Sequence, residues 1–556
     1  MKNFIVIVWF VLGASLWGCS NSDKTEKIAT TKDSVQYISE VWVADNGDGT
    51  YKNPILYADY SDPDVIRVGE DFFLTASSFN CSPGLPILHS KDLVNWEIVN
   101  YALPHFDYQE IFDIPQHGKG VWAPSIRYHN GEFYIYWGDP DWGIYMVKTK
   151  DPLGEWSKPL LVKEAKGMID PTPLWDEDGK VYLVNGWAGS RANINSVLTI
   201  WEMNKEGAEI ISEGKHVFDG HDHHHTVEGP KLYKRDGFYY IFCPAGGVEE
   251  GWQLILRSKD IYGPYEEKVV LHQGNTNING PHQGGWVETE TGESWFVHFQ
   301  DKKAYGRVLH LNPVTWIDGW PMMGEDINND GIGEPVSSHK KPNVGKTYPI
   351  HTPTESDEFN KGKLGMQWQW AANHSIKWMV QLPGQDYLRL LNYPKPEAST
   401  PLWMVPNLLM QKFPAPEFVA TTKVKLTTEW DVWQGKKAGL TVMGDDYAYL
   451  AMSKDEEEYQ LELFKGHMID KYSANEEMET SVRINSNEAY LRVDVKEEGL
   501  CQFYYSEDGE EYHTVGTVHK ATPELWIGAK VGIFAIMEPG TRIGGYADFD
   551  WFRISK

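Results

Sequence analysis

Between Tyr51 and about Pro321, short apolar strands alternate with polar turns in a pattern that recurs five times. Each copy opens on a small or acidic polar start: Asp62-Pro63-Asp64-Val65-Ile66, Ala123-Pro124-Ser125-Ile126-Arg127, Asp170-Pro171-Thr172-Pro173-Leu174, Glu228-Gly229-Pro230-Lys231-Leu232 and His282-Gln283-Gly284-Gly285-Trp286. A turn and an aromatic strand follow: Gly69-Glu70-Asp71 before Phe72-Phe73-Leu74, Asn130-Gly131 before Phe133-Tyr134-Ile135, Asp178-Gly179 before Val181-Tyr182-Leu183, Asp236-Gly237 before Phe238-Tyr239-Tyr240, and Thr291-Gly292 before Trp295-Phe296-Val297. Asn-Gly and Asp-Gly tolerate positive φ, so they predict hairpin turns. The starts lie 61, 47, 58 and 54 residues apart. Four-stranded units at that period predict a β-propeller of five blades.

After Pro321 the chain becomes a polar connection with a Pro/Thr stretch to about Thr354. From Asp357 short alternating strands resume, among them Leu388-Arg389-Leu390, Phe418–Thr421, Ala438–Val442, Tyr490–Val493 and Val531–Phe534, closing on Ala547–Phe552. Alternation of this kind over about 200 residues predicts a β-sandwich. No long amphipathic helix is visible. The fold class expected is all-β, a five-bladed β-propeller followed by a concanavalin-like β-sandwich. The boundaries are a signal segment at 1–18, a polar linker at 19–48, the propeller at 49–340, a linker at 341–355 and the sandwich at 356–556.

At the start, Lys2 and the apolar run Phe4–Trp17 read as the n- and h-regions of a signal peptide, too short for the ~20 residues of a spanning helix. The run ends in Leu16-Trp17-Gly18-Cys19 and resembles a bacterial lipoprotein signal, in which Cys19 is lipidated. The expectation is an exported protein, anchored through that lipid at the cell envelope, in the periplasm or on the outer-membrane surface, or otherwise secreted.

Composition narrows the partners. Of 556 residues, 51 are Lys or Arg and 79 are Asp or Glu, for a formal charge of −28, and no basic stripe offsets it. Nucleic acid is thereby disfavoured. Four Cys make no disulfide scaffold. The aromatic share, 13%, suits sheet cores, and exposed aromatic faces also stack on sugar rings.

A propeller brings the starts of its innermost strands to one end of the axis, here Asp62, Trp122-Ala123, Asp170, Glu228 and His282. Three carboxylates so gathered are costly unless solvated or used. Paired carboxylates flanking a bond perform glycoside hydrolysis, one ionised and one protonated; a third raises the pKa of the acid. A separation of ~6.5–9.5 Å admits a water and gives inversion.

The order of Asn53-Pro54-Ile55-Leu56, Asp62-Pro63-Asp64, Ser78-Phe79, His89–Trp96, Trp122-Ala123-Pro124, Ile169-Asp170-Pro171 and Val227-Glu228-Gly229-Pro230 resembles glycoside hydrolase family 43. The resemblance implies a five-bladed propeller that inverts arabinosides or xylosides. In its terms Asp62 is the general base, Glu228 the general acid, and Asp170 the residue that raises and orients Glu228. Phe79 and Trp122 would wall the sugar subsite, Arg307 would bond sugar hydroxyls, and His282 would sit at the channel centre, beside a calcium or water cluster in many relatives. Members often carry a large aromatic after Phe79, where this chain has Asn80-Cys81-Ser82. Cys81 is read as packing, with no base evident beside it.

No cofactor is expected for the chemistry, but besides a metal at the channel centre by His282, a structural Ca2+ is entertained at two further places. Asp326, Asn328 and Asp330 repeat the oxygen spacing of an EF-hand loop, with Gly331 sixth but Ser337 in place of the twelfth-position Glu. Asp357 with Asp548 or Asp550 is the second place. His221–His225 could bind a transition metal or tune Glu228, with a polar loop as the plainer reading. The sandwich resembles the C-terminal domain of family 43 xylosidases and arabinofuranosidases, where it can lend a loop to the active-site rim. Sugar binding through Trp368 and Trp370 is the other option. The function expected is removal of terminal α-L-arabinofuranose or β-D-xylose from plant cell-wall glycans, with arabinofuranose slightly favoured. A retaining fructosidase is disfavoured by the absence of its motifs, and a sugar-binding lipoprotein with a dead site by the three intact carboxylates.

Overall fold

The computed structural model describes residues 36–428, 436–455, 458–540 and 544–556. Cys19 and the expected signal segment lie outside them. Among the described residues no helix is long and apolar enough to cross a membrane.

Five antiparallel four-stranded sheets follow one another along the chain, at 64–103, 122–164, 168–219, 231–271 and 282–323. Each strand pairs with the next, so every sheet is a simple meander. The aromatic second strands explain how the sheets assemble. Alternate side chains of a strand point to opposite faces. Thus Phe72 and Leu74 pack toward the fifth sheet while Phe73 meets Phe133 and Ile135 of the second. Tyr134 and Tyr136 face Val181 and Leu183 of the third, and Tyr182 and Val184 face Tyr239 and Ile241 of the fourth. Tyr240 and Phe242 complete the circuit against Phe296. Five cores, each between two neighbouring sheets, close a five-bladed propeller, and burial on both faces is why these strands lack a polar side.

The segment before the first blade closes the ring. Ile55 N donates to Leu309 O (2.7 Å) and Leu309 N to Leu56 O (3.0 Å). Asn53 bonds through its side chain to Leu311 and Val336. Residues 36–48, expected as polar linker, are docked too: Ser39 Oγ donates to Glu355 (2.7 Å), and Asp45 is buried against Asn95.

The C-terminal domain stacks a sheet of eight strands on one of seven. Inward residues such as Leu440, Val442, Leu450, Leu491, Val493 and Phe549 fill the space between them. Trp368 and Trp370 belong to this core at 2% and 4% exposure, so neither offers a face to a sugar. At the second place entertained for calcium, the carboxylates have protein partners. Asp357 accepts from Phe359 N, Gly365 N and Trp368 Nε1. Asp548 is held bidentately by Arg389, and Asp550 pairs with Lys423. These acids each satisfy a different partner and do not converge.

The sandwich docks on the propeller beside Phe79. Ser82 and Trp370 exchange backbone hydrogen bonds, Asn80 Nδ2 donates to Ala371 O (2.8 Å), and Phe106 N donates to Asn373 Oδ1 (2.8 Å). This is the use of the Asn80-Cys81-Ser82 departure: small polar residues there make a docking face for the second domain.

Candidate active site

Within two residues of the start of the innermost strand of every blade lies a residue in the left-handed region: Asp62 (φ 54°), Ala123 (φ 36°), Asp170 (φ 57°), Gly229 (φ 58°) and Gln283 (φ 32°). Four of the five carry a side chain there, a conformation that costs about 1–3 kcal/mol each and concentrates at functional sites. This five-fold feature corrects the repeat register. Gly229 and Gln283, rather than Glu228 and His282, are equivalent to Asp62 and Asp170. Glu228, His282 and Trp122 share the preceding position with Ser61. Asp and Glu therefore reach the site from two adjacent positions of the same kink.

Asp62 is buried at 5% exposure and accepts three hydrogen bonds. Its Oδ2 accepts from Ser61 Oγ (2.7 Å) and Ser77 Oγ (2.6 Å), and its Oδ1 from Arg307 Nη1 (3.0 Å). Ser77 Oγ in turn accepts from Ala123 N (2.7 Å), tying the first blade to the second. Asp170 is 2% exposed and its Oδ2 accepts from Gly229 N (2.7 Å), the residue next to Glu228. Glu228 presents a side chain one-third exposed. Burial raises the pKa of both Asp170 and Glu228, and charge repulsion adds to it, from Asp62 on Asp170 and from Asp170 and then Asp62 on Glu228. Arg307 opposes the rise at both. One carboxylate locked to an arginine and two serines thus shares a site with two that favour a proton.

His282 lies beneath, with Nε2 3.6 Å from Glu228 Oε1. Burial, aided by Arg307, pushes its pKa down to about 3, and neither ring nitrogen has a hydrogen-bond partner. It is a neutral neighbour of Glu228 rather than an ion-pair partner. Deeper in the channel Asp64 takes Arg127 Nη1 (2.6 Å), and Lys231 Nζ donates to Pro124 O (2.8 Å).

Aromatic walls complete the site. Phe79 (φ 51°) is buried and exchanges backbone hydrogen bonds with Val121. Trp122 is anchored by Nε1 to Gly118 O (2.9 Å), and the Arg191 guanidinium lies 5.6 Å from its ring. The sequence reading did not single out Trp526, carried on a loop of the sandwich. It stands edge-on to Trp122 (6.4 Å between ring centres), 5.3 Å from the Arg307 guanidinium, in a left-handed conformation (φ 67°) and 42% exposed. Asp59 fixes that loop. Its Oδ1 accepts from Arg307 N (2.9 Å) and its Oδ2 from Gly528 N (3.0 Å), so one buried carboxylate spans both domains. His117 adds a second tie, stacked on Trp403 with Nδ1 3.1 Å from Glu524.

Other expected sites lie elsewhere. In the loop of Asp326, Asn328 and Asp330 the side-chain oxygens take backbone amides of Asp330, Gly331 and Ile332. Glu334, at position nine, instead accepts from Asn275 N. His221 pairs with Asp219, and His224 sits between Trp252 and Glu267; these residues do not reach Glu228. Among the described residues no group of three or more His, Cys, Asp or Glu is placed to hold a metal. Cys81 does have a basic neighbour, Lys530, 3.0 Å away across the domain junction.

Comparison with known proteins agrees with this architecture. Residues 51–321 match the model of glycosyl hydrolases family 43, and residues 356–555 match the β-xylosidase C-terminal concanavalin A-like domain. A protein of Xylanibacter ruminicola provisionally named a β-xylosidase is 37% identical over 90% of this chain and 89% of its own. The non-reducing end α-L-arabinofuranosidase BoGH43B of Bacteroides ovatus is 30% identical over 71% of this chain and 74% of its own. The crystal structure of a xylan β-1,4-xylosidase from Bacillus halodurans superposes with a TM-score of 0.79 at 26% identity, covering 91% of this chain and all of that one. With a propeller and sandwich in that order and relatives along most of its length, the chain belongs to glycosyl hydrolases family 43 and is a glycoside hydrolase.

Proposed function

We propose that the protein is an inverting, exo-acting glycosidase that removes terminal β-D-xylose from xylose-containing oligosaccharides, with α-L-arabinofuranose as a second substrate. The observation that carries this reading is the carboxylate set at the channel mouth: Asp62 bound by Arg307 and two hydroxyls, beside Asp170 and Glu228, which favour a proton. Asp62, bound by the Arg307 guanidinium at 3.0 Å, suits the base that takes a proton from the attacking water. Glu228 suits the acid that protonates the departing oxygen. Asp170 keeps that proton on Glu228 and fixes the backbone beside it through Gly229. Arg307 supports the bound sugar from the side of Asp62. Phe79, Trp122 and Trp526 give its apolar faces something to pack on.

The order of preference reverses the expectation from sequence. Its support is the naming of relatives that match along nearly the whole chain as β-xylosidases; the arabinofuranosidase relative keeps the second substrate in view. The test is nitrophenol release from β-D-xyloside against α-L-arabinofuranoside, with proton NMR of the first sugar formed. Faster xyloside turnover yielding α-xylose first agrees with the proposal; β-xylose first, or silence on both sugars from folded protein, contradicts it.

We further infer from residues 1–19 that the chain is exported and carries a lipid on Cys19. Labelling with a fatty-acid probe that persists in Cys19→Ala overturns this.

A further inference from the structure

The loop behind Phe79 and the strand behind Trp526 meet at a buried pair that no step of the proposed reaction uses. Cys81 is 4% exposed and Lys530 is 3% exposed. Lys530 Nζ lies 3.0 Å from Cys81 Sγ, the separation of a reacting pair already in place. The two come from different domains, Cys81 two residues after Phe79 and Lys530 four residues after Trp526. Around them stand Glu524 and Asp59, with Lys412 on the neighbouring strand. Burial alone would lower the Lys530 pKa, but Cys81 and then Glu524 push it above the usual lysine range. The amine is therefore an ammonium aimed at sulfur. The other two described cysteines have different surroundings: Cys243 Sγ contacts Ile241 O and Cys501 Sγ contacts Gly499 O.

A cysteine thiolate attacks peroxide to form a sulfenic acid, and a sulfenic acid condenses with a nitrogen that can reach it. We infer that hydrogen peroxide joins Cys81 Sγ to Lys530 Nζ by a sulfenamide bond that ties the propeller to the sandwich behind the pocket. The thiolate attacks one peroxide oxygen and the O–O bond breaks. The departing hydroxide takes a proton from the Lys530 ammonium and leaves as water. Cys81 is now S–OH, and Lys530 is a neutral amine beside it. The amine then attacks sulfur, the S–O bond breaks, and the hydroxyl leaves with one amine proton as a second water. Sulfur gives up two electrons, and one peroxide is reduced. The four-carbon lysine stem supplies the movement that closes 3.0 Å to a covalent bond. Two equivalents of a thiol reverse the link, returning thiol and amine and forming a disulfide between them.

The experiment treats the full-length protein with millimolar hydrogen peroxide, blocks remaining thiols, digests with trypsin and reads masses. The expected product is one linked peptide pair, lighter than the sum of its parts by about 2 Da, with cleavage lost at Lys530 and restored by dithiothreitol. Peptides holding Cys243 and Cys501 stay unlinked. In Lys530→Arg, which keeps the charge, sulfenic acid on Cys81 persists and its capture by dimedone rises several-fold over wild type. Cys81→Ser shows no change at Lys530. Oxidised Cys81 with Lys530 free in the wild-type protein overturns the inference, as does an unreacted Cys81. A linked pair heavier by about 14 Da, which retains one oxygen, overturns the direct S–N step.

Discussion

Asp59 is the residue whose loss is easiest to translate into numbers. Its two carboxylate oxygens each take a buried backbone amide, Arg307 N at 2.9 Å and Gly528 N at 3.0 Å. A hydrogen bond to a charged group contributes about 1.5–3 kcal/mol, and a buried amide left without an acceptor costs about 1–3 kcal/mol. Asp59→Ala orphans both amides. Water entering the space can repay part, so the expected loss is about 2–4 kcal/mol. Asp59→Asn keeps one acceptor and turns an N–H toward the other amide, for about half that loss. The effect reaches the site because the same bonds set Arg307 against Asp62 and Trp526 against Trp122. A misplacement near 1 Å can cost about a hundredfold, so kcat/KM on an aryl xyloside should fall by about ten- to a hundredfold in Asp59→Ala. Guanidinium unfolding followed by tryptophan fluorescence gives the stability, and initial rates on the folded fraction give the activity. Asp59→Ala within about 0.5 kcal/mol and twofold of wild type would refute the reasoning.

Three further outcomes follow from the same geometry. Trp526→Ala should raise KM about tenfold with a smaller change in kcat, while stability stays within about 1 kcal/mol because the side chain is 42% exposed; a loss confined to kcat would contradict its place as a wall. Asp170→Asn removes the leading charge that raises Glu228. The alkaline limb of its pH–rate profile, measured on a substrate with a good leaving group, should move to lower pH, and an unmoved limb would show that Asp170 does not hold the proton on Glu228. Glu228 has a folded pKa above its unfolded value, so the unfolded chain loses this proton first and wild-type stability falls as pH rises between the two. Glu228→Gln should therefore melt higher than wild type at pH 8, with the difference closing below about pH 4.3; a constant difference would contradict the raised pKa.

The propeller was legible because each blade announces itself twice, by a polar start and by a hairpin turn before an aromatic strand. The register was harder. Asp62-Pro63, Ala123-Pro124 and Asp170-Pro171 share an X-Pro pair, and Gly229-Pro230 continues it, but the carboxylate of that blade stands one residue earlier, at Glu228. The fifth blade has Gln283-Gly284 and no proline to correct it. The carboxylates were found regardless, since a shift of one residue leaves both at the mouth of the channel.

What the sequence hid was contact across long separations. Asp59 and Gly528 are 469 positions apart and meet through a backbone amide, which carries no residue-specific signal. Ser77 acts by relaying a hydroxyl between Ala123 N and Asp62, and serine beside serine in a loop does not advertise that role. Burial misled in the sandwich. Trp368 and Trp370 looked available to sugar, whereas their spacing of two is that of a core strand. Trp526, in a turn between Leu525 and Ile527, is the one turned toward the site.

The proposed reaction depends above all on Glu228 as the acid. The measurement is the rate of Glu228→Gln on xylobiose, whose leaving sugar needs a proton, against a dinitrophenyl xyloside, whose leaving group does not. We expect a loss of at least ~100-fold on xylobiose and a far smaller loss on the dinitrophenyl substrate. Equal losses on both, or undiminished hydrolysis of xylobiose, would contradict the assignment.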